Sequence, residues 1–169
     1  KEVAYLKYAE LAENVASAEV QNGKSEYITF VQSDSGEAYR MNSVKLEGLT
    51  PDTTYYYQVG DGEKWSEVLT FTTATDAKNG DTNFFIFGDI QSNSTSKVTA
   101  AISKITGADK KFDFGIQTGD AIDDVTKFAN WRSYLTTLNA QKLSGIDLFH
   151  ALGNHEYYGD ADGITAGNI

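Results

Sequence analysis

The sequence predicts two differently built units in series, a β-sandwich over residues 1–75 and a parallel α/β unit over residues 80–169. Three observations predict this division. The acidic residues change type near Thr75: Glu2 to Glu67 includes nine Glu and three Asp, whereas Asp76 to Asp162 includes eleven Asp and one Glu. Seven of the ten tyrosines and the only proline, Pro51, lie in the first segment. Short apolar runs crowd together in that segment, whereas in the second they alternate with stretches of helical spacing. The join, Ala74-Thr75-Asp76-Ala77-Lys78-Asn79-Gly80-Asp81, is polar and contains glycine, as a short linker does.

In the first unit Val3–Ala9, Glu26–Gln32, Arg40–Leu46, Thr54–Val59 and Val68–Thr73 are rich in Val, Tyr, Phe, Ile and Thr and read as strands. Turn signals at Asn22-Gly23, Asp34-Ser35-Gly36 and Asp61-Gly62 separate them. Strands at this spacing predict a sandwich, and about 75 residues is short against the roughly 100 of that architecture, so one or two leading strands are expected to be missing.

The second unit opens with an apolar strand, Asn83–Phe87. Ser94 or Thr95 then caps a helix with Val98, Ala101, Ile102 and Ile105 on one stripe, ended by Gly107. Phe112–Thr118 is the next strand. Asp124 or Thr126 caps a second helix with Phe128, Trp131, Leu135 and Leu138 on one stripe, stopped near Gly145, and Asp147–Leu152 is the third strand. This β-α-β-α-β order predicts a parallel sheet through right-handed crossovers.

Composition narrows function. A net charge of −10 with a pI near 4.5 leaves no basic patch for a nucleic-acid backbone. With no cysteine, disulfides, zinc fingers, iron–sulfur clusters and thiol nucleophiles are excluded. No apolar run approaches the ~18 residues of a transmembrane segment. The chain opens on Lys1 rather than Met, so a removed secretion signal stays open.

The chemistry gathers at strand ends. Gly-Asp pairs suit any turn, but Gly88-Asp89 and Gly119-Asp120 directly follow the apolar runs Phe84-Phe85-Ile86-Phe87 and Phe114-Gly115-Ile116-Gln117-Thr118, and the third strand ends Leu152-Gly153-Asn154-His155-Glu156. In an open parallel sheet all carboxyl ends face one side, so Asp89, Asp120 and Asn154 are expected to meet in one crevice. Clustered acidic oxygens repel unless a cation lies between them, and only Lys127 and Arg132 are near in sequence. Metal ions answer this, since carboxylate, amide oxygen and imidazole suit hard or borderline ions. A pair of them would clamp a phosphate and activate water.

Gly88-Asp89, Gly119-Asp120-Ala121-Ile122-Asp123 and Gly153-Asn154-His155-Glu156 resemble, in that order, the first three motifs of calcineurin-like metallophosphoesterases. Leu49-Thr50-Pro51-Asp52-Thr53-Thr54-Tyr55 resembles the tyrosine corner of fibronectin type III domains. That segment, with Tyr55-Tyr56-Tyr57-Gln58-Val59-Gly60 and Trp65-Ser66-Glu67 followed by Phe71-Thr72-Thr73, is similar to the amino-terminal domain of purple acid phosphatases. The resemblance implies a fibronectin III-like sandwich followed by the first β-α-β-α-β half of a metallophosphoesterase domain. It implies a phosphoester hydrolase, acting on a phosphomonoester or phosphodiester substrate through a metal-bound hydroxide and two metal ions of iron, zinc or manganese type. By position Asp89 would ligate one metal, Asp120 would bridge both, Asn154 would ligate the second, and His155 would face the substrate as phosphate stabiliser or proton donor. Glu156 would support the loop.

Departures from the family pattern are as informative. Asp89-Ile90-Gln91 places Gln91 where the family has His or Gly, and Asp123 stands where purple acid phosphatases have an iron-binding tyrosine. Gln91 and Asp123 are thus candidates for a supporting or substitute-ligand role, and no purple colour is expected. Asp124 reads as a helix cap and His150 as a packed or helix-contacting histidine. Family members supply three further histidines, and none follows His155 here. The expectation is that the chain carries half of a site, inactive alone and completed by the same parent protein or another chain. An alternative of another class is an extracellular binding module with a non-catalytic phosphoesterase remnant. Calcium-loop chemistry lacks its Asp-x-Asp-x-Asp-Gly signature. Resemblance to secreted relatives implies an extracellular or cell-surface location.

Overall fold

A computed structural model describes residues 3–28, 39–76, 81–91, 95–108, 111–140 and 143–157. The chain divides into two compact units, Lys1–Ile28 with Arg40–Thr82 and Thr29–Tyr39 with Asn83–Ile169.

The first unit is built on strands β1 (Tyr5–Ala9), β2 (Gln21–Asn22), β3 (Lys24–Ile28), β4 (Tyr39–Ser43), β5 (Thr54–Gly60) and β6 (Leu69–Thr72). They form a four-stranded sheet in the order β2-β1-β5-β6, antiparallel throughout, and a two-stranded sheet of β3 and β4. Alternation along β1 and β5 sends Leu6 and Tyr55 inward, where Val15, from a 3₁₀ turn over Ala12–Ser17, is fully buried. Tyr55 packs edge-on to Tyr8 and stacks on Phe71, at centroid distances of 5.7 and 5.5 Å. Its hydroxyl accepts a hydrogen bond from the Thr50 N–H at 3.0 Å, tying β5 back to the loop before it. The 3₁₀ turn and β2 escape sequence reading: Asn22-Gly23 looks like a turn, yet Asn22 pairs with Tyr5 and the Gly23 N–H reaches the Ala4 carbonyl. At Asp61-Gly62 the turn forms as expected, with Asp61 Oδ1 accepting from the N–H groups of Glu63 and Lys64. Asp34-Ser35-Gly36 and the end of the strand expected over Glu26–Gln32 lie outside the described residues, as does Lys78-Asn79-Gly80 of the expected linker.

The second unit runs β7 (Phe84–Phe87), α1 (Thr95–Thr106), β8 (Phe114–Gln117), α2 (Phe128–Ala140) and β9 (Asp147–His150). The sheet is parallel, in the order β7-β8-β9. Phe85 on one face joins Val98 and Ile102 of α1 and Tyr134 and Leu138 of α2 in the core, with Phe87 and Leu148 packed against it. On the opposite face Phe84, Ile86 and Phe149 are 49 %, 58 % and 61 % exposed, although parallel sheets are ordinarily covered on both sides. Phe84 stacks on Phe114, and Phe149 meets Phe114 edge-on, in an aromatic ladder across all three strands.

The α1 stripe is as expected, with Val98 and Ile102 fully buried and the Gly107 N–H bonded to the Ser103 carbonyl at the end. The α2 stripe is only partly so, with Leu138 buried and Trp131 packed against the core. Its buried residues are Asn130, Tyr134, Thr137 and Leu138, whereas Leu135 is 52 % exposed. The helix is turned toward its polar residues because these are satisfied at short range: Asn130 Nδ2 donates to the Asp124 carbonyl, and the Thr137 hydroxyl to the Ser133 carbonyl. Asp124 does not cap α2 directly. Its Oδ1 accepts from the Thr126 N–H and hydroxyl in a turn that precedes the helix, which starts at Phe128.

Candidate active site

Parallel strands deliver the segments after β7, β8 and β9 to one edge of the sheet, and backbone hydrogen bonds stitch them together. The Asp89 N–H donates to the Gly119 carbonyl at 3.0 Å and the Gln91 N–H to the Asp120 carbonyl at 2.8 Å. The His155 N–H donates to Asp120 Oδ1 at 2.9 Å. Asp120 is therefore the hub, touching the first segment through its carbonyl and the third through its carboxylate.

Holding three chain segments this close demands unusual backbone. Asp89, Gln91 and Asp120 all adopt left-handed φ, at 53°, 47° and 53°, which L-residues other than Asn and Asp seldom do. Such conformations persist only where surrounding bonds enforce them, and they concentrate at functional sites. Glycine is required at Gly153, because a Cβ there would overlap Asp120 Oδ1.

Two buried side chains brace these loops. Gln117 is fully buried, and its amide grips Gly119, accepting from its N–H at 3.0 Å and donating to its carbonyl at 2.7 Å. Glu156, 5 % exposed, accepts from three backbone N–H groups: Gly153 at 2.7 Å, Asp120 at 2.8 Å and Ala121 at 2.9 Å. A buried carboxylate is stabilised by such donors rather than by a cation. Glu156 thus supports the loop, as the sequence suggested, and joins the second segment to the third. Gln117 was not singled out from sequence, because a polar residue ending a strand carries no signal until its partner two residues on is seen.

His155 is bracketed at both ring nitrogens. Nδ1 lies 2.8 Å from the Asp123 carbonyl oxygen and Nε2 lies 3.0 Å from the Gln91 side-chain amide nitrogen. Both departures from the family pattern thereby meet at one imidazole, Asp123 through its backbone and Gln91 through its side chain. Behind the site the Tyr134 hydroxyl and His150 Nε2 are 3.0 Å apart, which makes His150 a helix-contacting histidine. Burial pushes the Tyr134 hydroxyl well above the usual tyrosine range, and the Glu156 charge adds to it. Burial lowers the His150 pKa below its ordinary value, against the opposing pull of the Leu148 backbone and the Glu156 charge.

As donors, the oxygens of Asp89, Asp120 and Asn154 suit a hard or borderline cation. Among the described residues no three His, Asp or Glu side chains group to hold a metal ion, and one oxygen of Asp120 is already engaged by the His155 N–H.

Residues 4–73 match the family described as the purple acid phosphatase N-terminal domain. Among curated proteins none matches the sequence. Among solved structures, that of PhoD is similar in fold over 92 % of this chain, with a TM-score of 0.50 at 13 % sequence identity. This chain spans 32 % of the length of the PhoD chain.

Proposed function

We propose that the chain, whose residues 4–73 match the purple acid phosphatase N-terminal domain, is of the metallophosphoesterase type and contributes Asp89, Asp120, Asn154 and His155 to a metal-dependent phosphoester hydrolase. The observation that carries this reading is the hub at Asp120, bonded to the segment of Gln91 and to that of His155 across intervals of 29 and 35 residues. Bound metal would neutralise clustered oxygens and activate water. The chain's own residues do the rest. Asp89, Asp120 and Asn154 would supply oxygen ligands from three strand ends, Gln117 and Glu156 keep those ends in register, and His155 would turn Nε2 to the phosphoester in exchange for the Gln91 amide that meets it in the substrate-free chain.

The ligand set is completed by further polypeptide of the same parent protein or of another chain, supported by the uncovered face of Phe84, Ile86 and Phe149. The location proposed is extracellular or cell-surface, on family resemblance; among the described residues no helix is long and apolar enough to cross a membrane.

The test joins this chain to the sequence that follows it in its gene and measures bound metal by mass spectrometry alongside hydrolysis of p-nitrophenyl phosphate and its diester. The expected result is bound iron, zinc or manganese with turnover, and a loss of about a hundredfold or more in metal affinity or rate for Asp120→Asn. Full turnover by the 169-residue chain alone would refute the divided site. A complete protein with neither metal nor turnover would leave the binding-module reading.

A further inference from the structure

We propose that Gln91 is a positioning residue that acts through His155, fixing its imidazole in one tautomer and one plane. The inference rests on the reading above only in giving His155 a phosphoester to face. A carbonyl oxygen can only accept, so the 2.8 Å contact between His155 Nδ1 and the Asp123 carbonyl puts the ring proton of the neutral imidazole on Nδ1. Nε2 then carries the lone pair and accepts from the Gln91 amide at 3.0 Å, an interaction that spans 64 residues of sequence. The Asp123 contact selects the tautomer, and the Gln91 contact stabilises it from the other nitrogen of the ring. Together they set both the tautomer and the plane.

Gln91 is itself held in place for this task. Its backbone N–H is bonded to the Asp120 carbonyl, and its backbone is left-handed with φ at 47°. The residue that departs from the family pattern in sequence is thus coupled to the one that follows it.

The chain has two histidines, so the spectrum is simple to assign. Long-range ¹H–¹⁵N spectra of the imidazoles are recorded on the ¹⁵N-labelled chain above the titration range of histidine, with His150→Gln identifying the second ring. The expected result is His155 as the Nδ1–H tautomer, with the tautomer ratio falling by about fivefold in Gln91→Leu, the equivalent of one net hydrogen bond of about 1 kcal/mol. An unchanged ratio in Gln91→Leu overturns the proposal. If that variant does not fold, the wild-type chain decides: a ¹⁵N–¹⁵N coupling across the Gln91 to His155 contact supports it, and two averaging tautomers without that coupling overturn it. No substrate, metal or turnover enters this measurement. A completed protein that is inactive while its ring holds one tautomer refutes the hydrolase reading alone, and an active completed protein with a freely averaging ring refutes this inference alone.

Discussion

Each unit ties a loop to a strand with one buried side chain, and the two ties are built differently. In the first, the Tyr55 hydroxyl accepts a single N–H, that of Thr50, while Thr73 nearby repeats the connection through its hydroxyl to the Thr50 carbonyl and from the Thr53 N–H. In the second, the Glu156 carboxylate alone takes three N–H groups from two different segments. A neutral tie with a neighbour doing the same work is redundant. An anionic tie serving three donors is not, and it stands where the segments after β8 and β9 meet.

The largest expected effect follows from removing the second tie. Glu156→Ala strands three donors around a buried position and should cost the second unit about 3–5 kcal/mol, measured by urea unfolding. Glu156→Gln keeps one carbonyl acceptor and should lose about 1–2 kcal/mol. Each unit contains one of the two tryptophans, Trp65 and Trp131, so fluorescence in single-tryptophan backgrounds assigns the loss to a unit. Against this, Tyr55→Phe keeps the ring among Tyr8 and Phe71 and loses only one neutral bond, for an expected cost of about 1 kcal/mol in the first unit. Equal losses for Glu156→Ala and Tyr55→Phe would erase the distinction drawn between the ties.

The same contrast explains what could be read from the sequence. Strands β5, β7 and β8 announce themselves because aromatic and β-branched runs are local signals, and the convergence of Asp89 and Asp120 follows from two short facts, Gly-Asp pairs and a parallel sheet. The bonds that give the loops their shape are not local. Glu156 reaches Asp120 across 36 residues and Gln91 reaches His155 across 64, and neither pairing has a composition signature. Helix α2 shows the complementary failure. Spacing selects Phe128, Trp131, Leu135 and Leu138, yet Asn130 and Thr137 are buried because backbone carbonyls satisfy them, and Trp131 is pinned by its indole N–H on the Val125 carbonyl at 2.8 Å. Hydrophobic periodicity has no means of seeing a polar residue that is already paired.

The smallest expected effect lies between the two ties in character: the contact of His150 with Tyr134, neutral like the first and close to the Glu156 charge like the second. Burial lowers the folded pKa of His150 below the 6.5 of the free side chain, so between those values the unfolded chain binds the proton more readily. Stability from this group is therefore complete above about pH 6.5 and is lost as pH falls toward the folded value. In His150→Gln, whose amide can still meet the Tyr134 hydroxyl, that loss should disappear, so the two urea midpoints draw together on going from about pH 7.5 to about pH 5. The residue as a whole keeps solvent contact, which limits the effect. Parallel curves for the two proteins would mean that water, rather than the Tyr134 ring, sets the protonation of His150, and that the back of the site is open to solvent.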